Sequence, residues 1–349
     1  MRATTIHAPF DIRVEDLPDP ELHRPTDALV KVHAACVCGS DLWPYRGIND
    51  VTPGTRIGHE FVGTVEQVGD EVTGLRPGDF VIAPFVYSDN TCRVCRAGMQ
   101  TSCEHGGFWG TDDEHGLPVD GGQGQWVRVP QAEGTLVTVP GRPGDDLLPD
   151  LLTLSDVMGT GWHCAVGAGV QPGDTVAVVG DGAVGLCAVI AAHLMGASMV
   201  VAMSRHEARQ ALATQFGATH LVAERGEQGV AKVRALTEGL GVDRALECVG
   251  TGEAMATAFD LVRPGGSVGF VGVPHGVELP IGTMFRNNIG IGGGIAPVRA
   301  YLPELRDRVL AGEIHPGRVF DLTLPLDEAP EAYAAMHERR ATKVLLQPW

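Results

Sequence analysis

The chain has 349 residues and a formal net charge of −17, from 43 acidic and 26 basic side chains. That length exceeds one ordinary core and sets about two domains as the expectation. The excess acid argues against nucleic acid or an anionic membrane surface as a partner, since either would be repelled.

No apolar run reaches the ~18 residues needed to cross a bilayer, and the start MRATTIHAPF lacks the apolar stretch of a signal peptide. A cytoplasmic protein acting on a small molecule is the expectation. Without a secretion signal, the eight cysteines read as metal ligands or buried thiols rather than a disulfide framework.

Up to about residue 155 the chain carries short β-type runs, ALVKVHAA, FVGTVEQVG, DFVIAPFV and GQWVRVP, separated by turn signals such as Arg76–Asp79 (RPGD). That texture predicts a mostly antiparallel, barrel-like β domain. From about Leu151 it changes: DTVAVVG, SMVVAMS, ALECVG, SVGFVGV and NIGIGGGI read as strands, and LCAVIAAHLMG and HEARQALATQFG as helices. Strands alternating with helices predict a parallel, doubly wound sheet. After about residue 297, LPELRDRVLAG and PEAYAAMHERR read as helices and TKVLLQP as a closing strand that returns to the first domain. The parse is 1–155, 156–296 and 297–349.

Gly180-Asp181-Gly182-Ala183-Val184-Gly185 is a G-x-G-x-x-G turn that follows a strand and opens a helix. Glycines there permit a tight turn and close approach of a pyrophosphate to the helix N-terminus. An NAD site should place an acid about 20 residues later, at the end of the next strand. The residues found there are Ser204-Arg205-His206, with Arg209 one helical turn on. A hydroxyl followed by arginine suits a 2′-phosphate, so NADP(H) is the expected cofactor.

The stretch ACVCGSDLW offers two cysteines, readable as core, redox pair, nucleophile or metal ligand. His59 and Glu60 follow about 20 residues later, and Asp156 sits in SDVMGTGWH at the join of the domains. A catalytic zinc takes three protein ligands and an open position. Cys38 is the candidate ligand, with Ser40 placed to relay a proton and Cys36 assigned to the core.

With those motifs assembled, the sequence resembles the zinc-dependent medium-chain dehydrogenase/reductase superfamily, in particular its secondary-alcohol, NADP-using alcohol dehydrogenases. The resemblance spans the MRAxxIH start, CGSD, GHE, the cysteine lobe, SDVMGTGWH, GDGAVG and the terminal KVLL. It implies an α/β protein: a GroES-like β-barrel catalytic domain with an inserted Rossmann doubly wound parallel sheet, and an active-site cleft between the two. By matched motif, Cys38, His59 and Asp156 stand at the catalytic zinc ligands, with Glu60 able to approach the metal. Ser40 stands at the proton-relay hydroxyl and Asp41 at the residue steadying the site. Thr160 and Lys343 stand where nicotinamide and pyrophosphate are contacted. Ser204, Arg205 and Arg209 stand where NAD is set against NADP, beyond Gly180, Gly182 and Gly185.

Two departures follow. Trp43 occupies a place where members often carry a proton-relaying histidine, and is expected to shape the substrate pocket. The family's structural zinc uses C-x2-C-x2-C-x7-C; Cys92, Cys95 and Cys103 fit its last three places, with Asp89 in the first. A Cys3Asp zinc site is expected, and Cys164, Cys187 and Cys248 read as buried thiols. The resemblance also implies a homodimer or homotetramer. The expected activity is reversible hydride transfer between NADP(H) and a small alcohol/ketone or aldehyde pair. Its rivals are an NAD-using polyol or amino-alcohol (sorbitol/threonine-type) dehydrogenase and a non-catalytic NADPH-binding protein.

Overall fold

The computed structural model describes residues 1–349, which divide into two units: Met1–Asp156 with Pro297–Trp349, and Val157–Ala296. Asp156 therefore groups with the first unit, one residue beyond the boundary read from the sequence, because its backbone belongs to the turn that closes on Thr153. The GroES-like and Rossmann-type architecture is present, one fold in each unit.

The first unit is organised by the strand Ala28–Cys36, whose side chains alternate buried and half-buried until its buried end. Along one edge it pairs antiparallel with Phe61–Val68. On the other edge it pairs first with Trp126–Val129 and then, through Ala35 and Cys36, with the closing strand Val344–Gln347. Phe80–Ala83 and Val137–Val139 extend the sheet on one side, and Leu322–Pro325 lies parallel to the closing strand on the other. Val30, Val32, Phe61, Val65, Val81 and Val127 are fully buried against one another. Each contributes roughly 1.5–3 kcal/mol of burial. The C-terminal strand is thus a member of the sheet whose far end carries Cys36 and Cys38.

In the second unit six parallel strands run in the order His220–Val222, Met199–Met203, Thr175–Val179, Val242–Glu247, Val262–Phe270, Gly290–Gly293. Counted along the chain this is 3-2-1-4-5-6, the doubly wound order whose crevice opens at the carboxyl ends of the first strands. The helix Ala183–Leu194 is apolar on all sides and buried from Gly185 to Ala192, as a helix sandwiched in a core must be. It packs against Val157–Ala168 so tightly that a Cβ on Gly161 would lie 2.5 Å from the Ala188 nitrogen.

All eight cysteines are free thiols. Cys164 and Cys187 are buried as expected, whereas Cys248 is half-buried, with its Sγ 3.9 Å from that of Cys164. No helix is long and apolar enough to cross a membrane.

Candidate metal centres and nucleotide turn

The strand Ala28–Cys36 ends at Cys36, and the chain then turns through Cys38–Asp41 into the short helix Leu42–Tyr45. His59 and Glu60 directly precede the strand Phe61–Val68, which lies alongside. Asp156 ends the segment after the helix Leu148–Thr153. Three stretches remote in sequence thus meet: one donor atom each from Cys38, His59, Glu60 and Asp156 lies within 4.8 Å of the others.

Within this group the Cys38 Sγ is 3.6 Å from Asp156 Oδ2, and His59 Nε2 is 3.4 Å from the same oxygen. Asp41 orients the ring: its Oδ1 lies 3.2 Å from His59 Nδ1, while its Oδ2 accepts from the Cys38 N–H (2.9 Å) and Gln123 Nε2 (3.3 Å). With Nδ1–H donated to Asp41, Nε2 is left facing Cys38 and Asp156, the arrangement that orients metal-binding histidines. Gln123 is itself fixed by Tyr333, whose hydroxyl donates to its Oε1 (3.1 Å). Gly58 makes room for it: φ is +96°, and a Cβ there would lie 2.3 Å from the Gln123 side chain.

Glu60 belongs to the same group and is tethered by two further side chains. Its Oε1 accepts from Lys343 Nζ at 2.7 Å and its Oε2 from the Cys36 thiol at 3.2 Å, both partners being fully buried. Lys343, expected at the pyrophosphate, is instead held under the cluster, because the closing strand pairs Leu345 with Cys36. Burial pushes the Cys38 thiol up, and Asp156 adds to that. Burial opposes charge on His59, but Asp41, Cys38 and Asp156 outweigh it and hold its pKa well above 6.5. The neighbouring carboxylates thus add to both shifts, disfavouring the thiolate and favouring the imidazolium. A thiol, an imidazole and a carboxylate on one centre are a zinc donor set, and the three fit that ion. Ser40 is half-buried in the same turn, next to Asp41.

The second cluster is local. Donor atoms of Asp89, Cys92, Cys95 and Cys103 lie within 4.8 Å of one another. Backbone N–H groups serve these donors: Thr91 and Cys92 donate to Asp89 Oδ1 (2.8 and 3.0 Å), Cys95 to Cys92 Sγ (3.4 Å), and Asp89 and His105 to Cys103 Sγ (3.3 and 3.4 Å). Burial raises the Asp89 pKa, but the two N–H donors and the neighbouring thiols bring it down to about 2. Four converging donors of this kind suit a closed tetrahedral zinc.

In the second unit Gly180 has φ +119°, and a Cβ on Gly185 would strike the Gly180 carbonyl at 2.0 Å. A Cβ on Gly182, the N-cap of Ala183–Leu194, would meet open space. The turn therefore leaves room beside the helix N-terminus for a pyrophosphate. Gly180, Asp181, Ser204 and Arg205 line one recess at the carboxyl ends of the two strands. Arg209 is turned aside to pair with Asp181 (3.1 Å), and the Ser204 hydroxyl donates to the same carboxylate (2.8 Å). Sequence reasoning missed this acid, which the first turn brings to the end of the second strand. Thr160 lies half-buried on the helix Val157–Ala168.

Residues 24–141 match the alcohol dehydrogenase GroES-like domain family and residues 183–310 the zinc-binding dehydrogenase family. Zinc-type alcohol dehydrogenase B of Aspergillus flavus is 33% identical over 99% of this chain and 81% of its own length. The alcohol dehydrogenase TADH from Thermus sp. ATN1 superposes with a TM-score of 0.91 at 35% identity, covering 99% of both chains. A zinc-binding dehydrogenase of Sinorhizobium meliloti 1021, solved bound to NADP, gives 0.84 at 28% identity over 99% of both chains. The chain belongs to the zinc-dependent alcohol dehydrogenases of the medium-chain dehydrogenase/reductase superfamily.

Proposed function

We propose that the protein transfers hydride reversibly between NADP(H) and a small alcohol/ketone or aldehyde pair. The observation that carries this is the convergence of Cys38, His59 and Asp156 on one centre. Cys38, His59 and Asp156 would hold a zinc ion, which would supply Lewis-acid polarisation of the substrate oxygen. Asp41 keeps His59 Nε2 directed at that centre, and Lys343 with Cys36 tethers Glu60 beside it. Ser40 passes the substrate proton outward, and Trp43 walls the pocket. On the second unit the Gly180–Gly185 turn takes the pyrophosphate, while Ser204 and the exposed Arg205 take the 2′-phosphate.

Zinc per chain in dialysed protein, read beside a screen of ketones and aldehydes with NADPH, tests the reading. About two zinc ions per chain and metal-dependent NADPH oxidation are expected. Zinc near zero, with no turnover after zinc is restored, would leave a nucleotide-binding protein and overturn the proposal.

A further inference from the structure

Asp181 does not belong to the glycine pattern that defines its turn, yet its carboxylate makes two side-chain contacts there. Its Oδ2 accepts from the Ser204 hydroxyl at 2.8 Å, and its Oδ1 pairs with Arg209 Nη1 at 3.1 Å. Ser204 is the residue at the end of the strand Met199–Met203, the place where an NAD site carries its acid. A carboxylate thus stands beside that position, delivered by the first turn of the unit instead of by the second strand. Each of its oxygens has a donor, and a carboxylate oxygen can accept more than one. The side chain is not sealed in, being 13% exposed, and it lines the recess with Ser204 and Arg205.

The chemistry of the adenosine ribose then has two opposed outcomes at one spot. A 2′-hydroxyl can donate to Asp181. A 2′-phosphate can only accept, and it would meet a like charge that also neutralises Arg209, one of the two arginines expected to bind it. Arg205, exposed on the same recess, pulls the other way. We infer that Asp181 is the residue that sets cofactor choice: it accepts the 2′-hydroxyl of NAD(H) and restrains binding of NADP(H), which Arg205 favours. This rests on the reading of the Gly180–Gly185 turn as the dinucleotide site.

The test is a fluorescence titration of the zinc-replete protein with NADPH and with NADH, in wild type, Asp181→Asn and Asp181→Ala. Asparagine keeps an acceptor for Ser204 but removes the charge and frees Arg209. Juxtaposed like charges cost enough that the NADPH-to-NADH affinity ratio should rise about tenfold in Asp181→Asn. NADPH should bind more tightly, and Asp181→Ala should move the ratio the same way. An unchanged ratio in the folded variants, or an equal loss for both cofactors, overturns the inference by reducing Asp181 to a structural brace. Thermal melting shows which variants are folded, and either one suffices. A wild type that prefers NADH overturns the NADP(H) reading, while a shifted ratio in the variants still upholds Asp181. A wild type that prefers NADPH with an unmoved ratio does the reverse.

Discussion

The two metal-type clusters of the first unit reach similar donor sets by opposite routes. Asp89, Cys92, Cys95 and Cys103 lie within fifteen residues, and their backbone N–H groups serve the donors directly. Cys38, His59 and Asp156 come from three distant stretches, and side chains do the orienting: Asp41, Gln123 and Tyr333 on one side, Glu60 and Lys343 below. A local cluster is held by its own loop and resists change elsewhere in the fold. A remote cluster depends on the sheet that assembles it.

The aspartates of the two clusters offer the sharpest contrast. Asp156→Ala should lower kcat by on the order of 10³-fold or more while the nucleotide still binds, because the remote cluster has no local substitute for it. Stopped-flow turnover and nucleotide titration on one preparation check this. A variant that keeps its activity would break the comparison at its centre.

Lys343→Met probes what only the remote cluster has, a fully buried ion pair beneath it. Removing one partner strands the Glu60 carboxylate in the core and should cost about 3–5 kcal/mol in denaturant unfolding. The double variant with Glu60→Gln should recover much of that loss, which a merely steric defect would not allow.

Asp89→Ala should release close to one zinc per chain, by elemental analysis, and lower the melting temperature with little change in KM. Asp89→Cys should keep the metal, since thiolate is the commoner ligand in closed sites. Unchanged zinc together with an unchanged melting temperature in Asp89→Ala would mean that the lobe carries no metal and is held by its N–H···S bonds.

Asp243 extends the comparison to a carboxylate held as Asp89 is, away from either cluster. Burial raises its pKa, but donation from Thr175 N–H and Oγ1–H and from the Arg263 guanidinium outweighs this and holds it below 3.8. Its contribution is therefore complete above pH 3.8 and is lost as pH falls through the lower folded value. Asp243→Asn should cost about 1 kcal/mol at pH 7, at the low end because the group is partly exposed. That deficit should shrink in urea titrations as pH falls below 3.8.

Trp43→Ala is the mildest change: KM and the range of accepted ketones should shift a few-fold, with the pH profile of kcat unmoved. A moved pH profile with constant KM would instead place Trp43 on the proton path.

Much of this was written locally. Periodicity marked the strands of the two main sheets, Gly180–Gly185 announced its own turn, and Cys92, Cys95 and Cys103 matched the structural-zinc pattern of the family the chain resembles. Such signals are legible because turns, helix starts and short loops are set by neighbours within a few residues. Three facts were not legible. Lys343 sits under the Cys38, His59 and Asp156 cluster because its strand pairs Leu345 with Cys36, more than 300 residues away. Gln123 reaches Asp41 only because Gly58 leaves it space. Asp181 meets Ser204 only because parallel strands bring their carboxyl ends together. The sequence by itself determined the elements, the fold class and the chemistry on offer. The tertiary structure decided which charges face one another, because strand pairing sets distances that no spacing along the chain records.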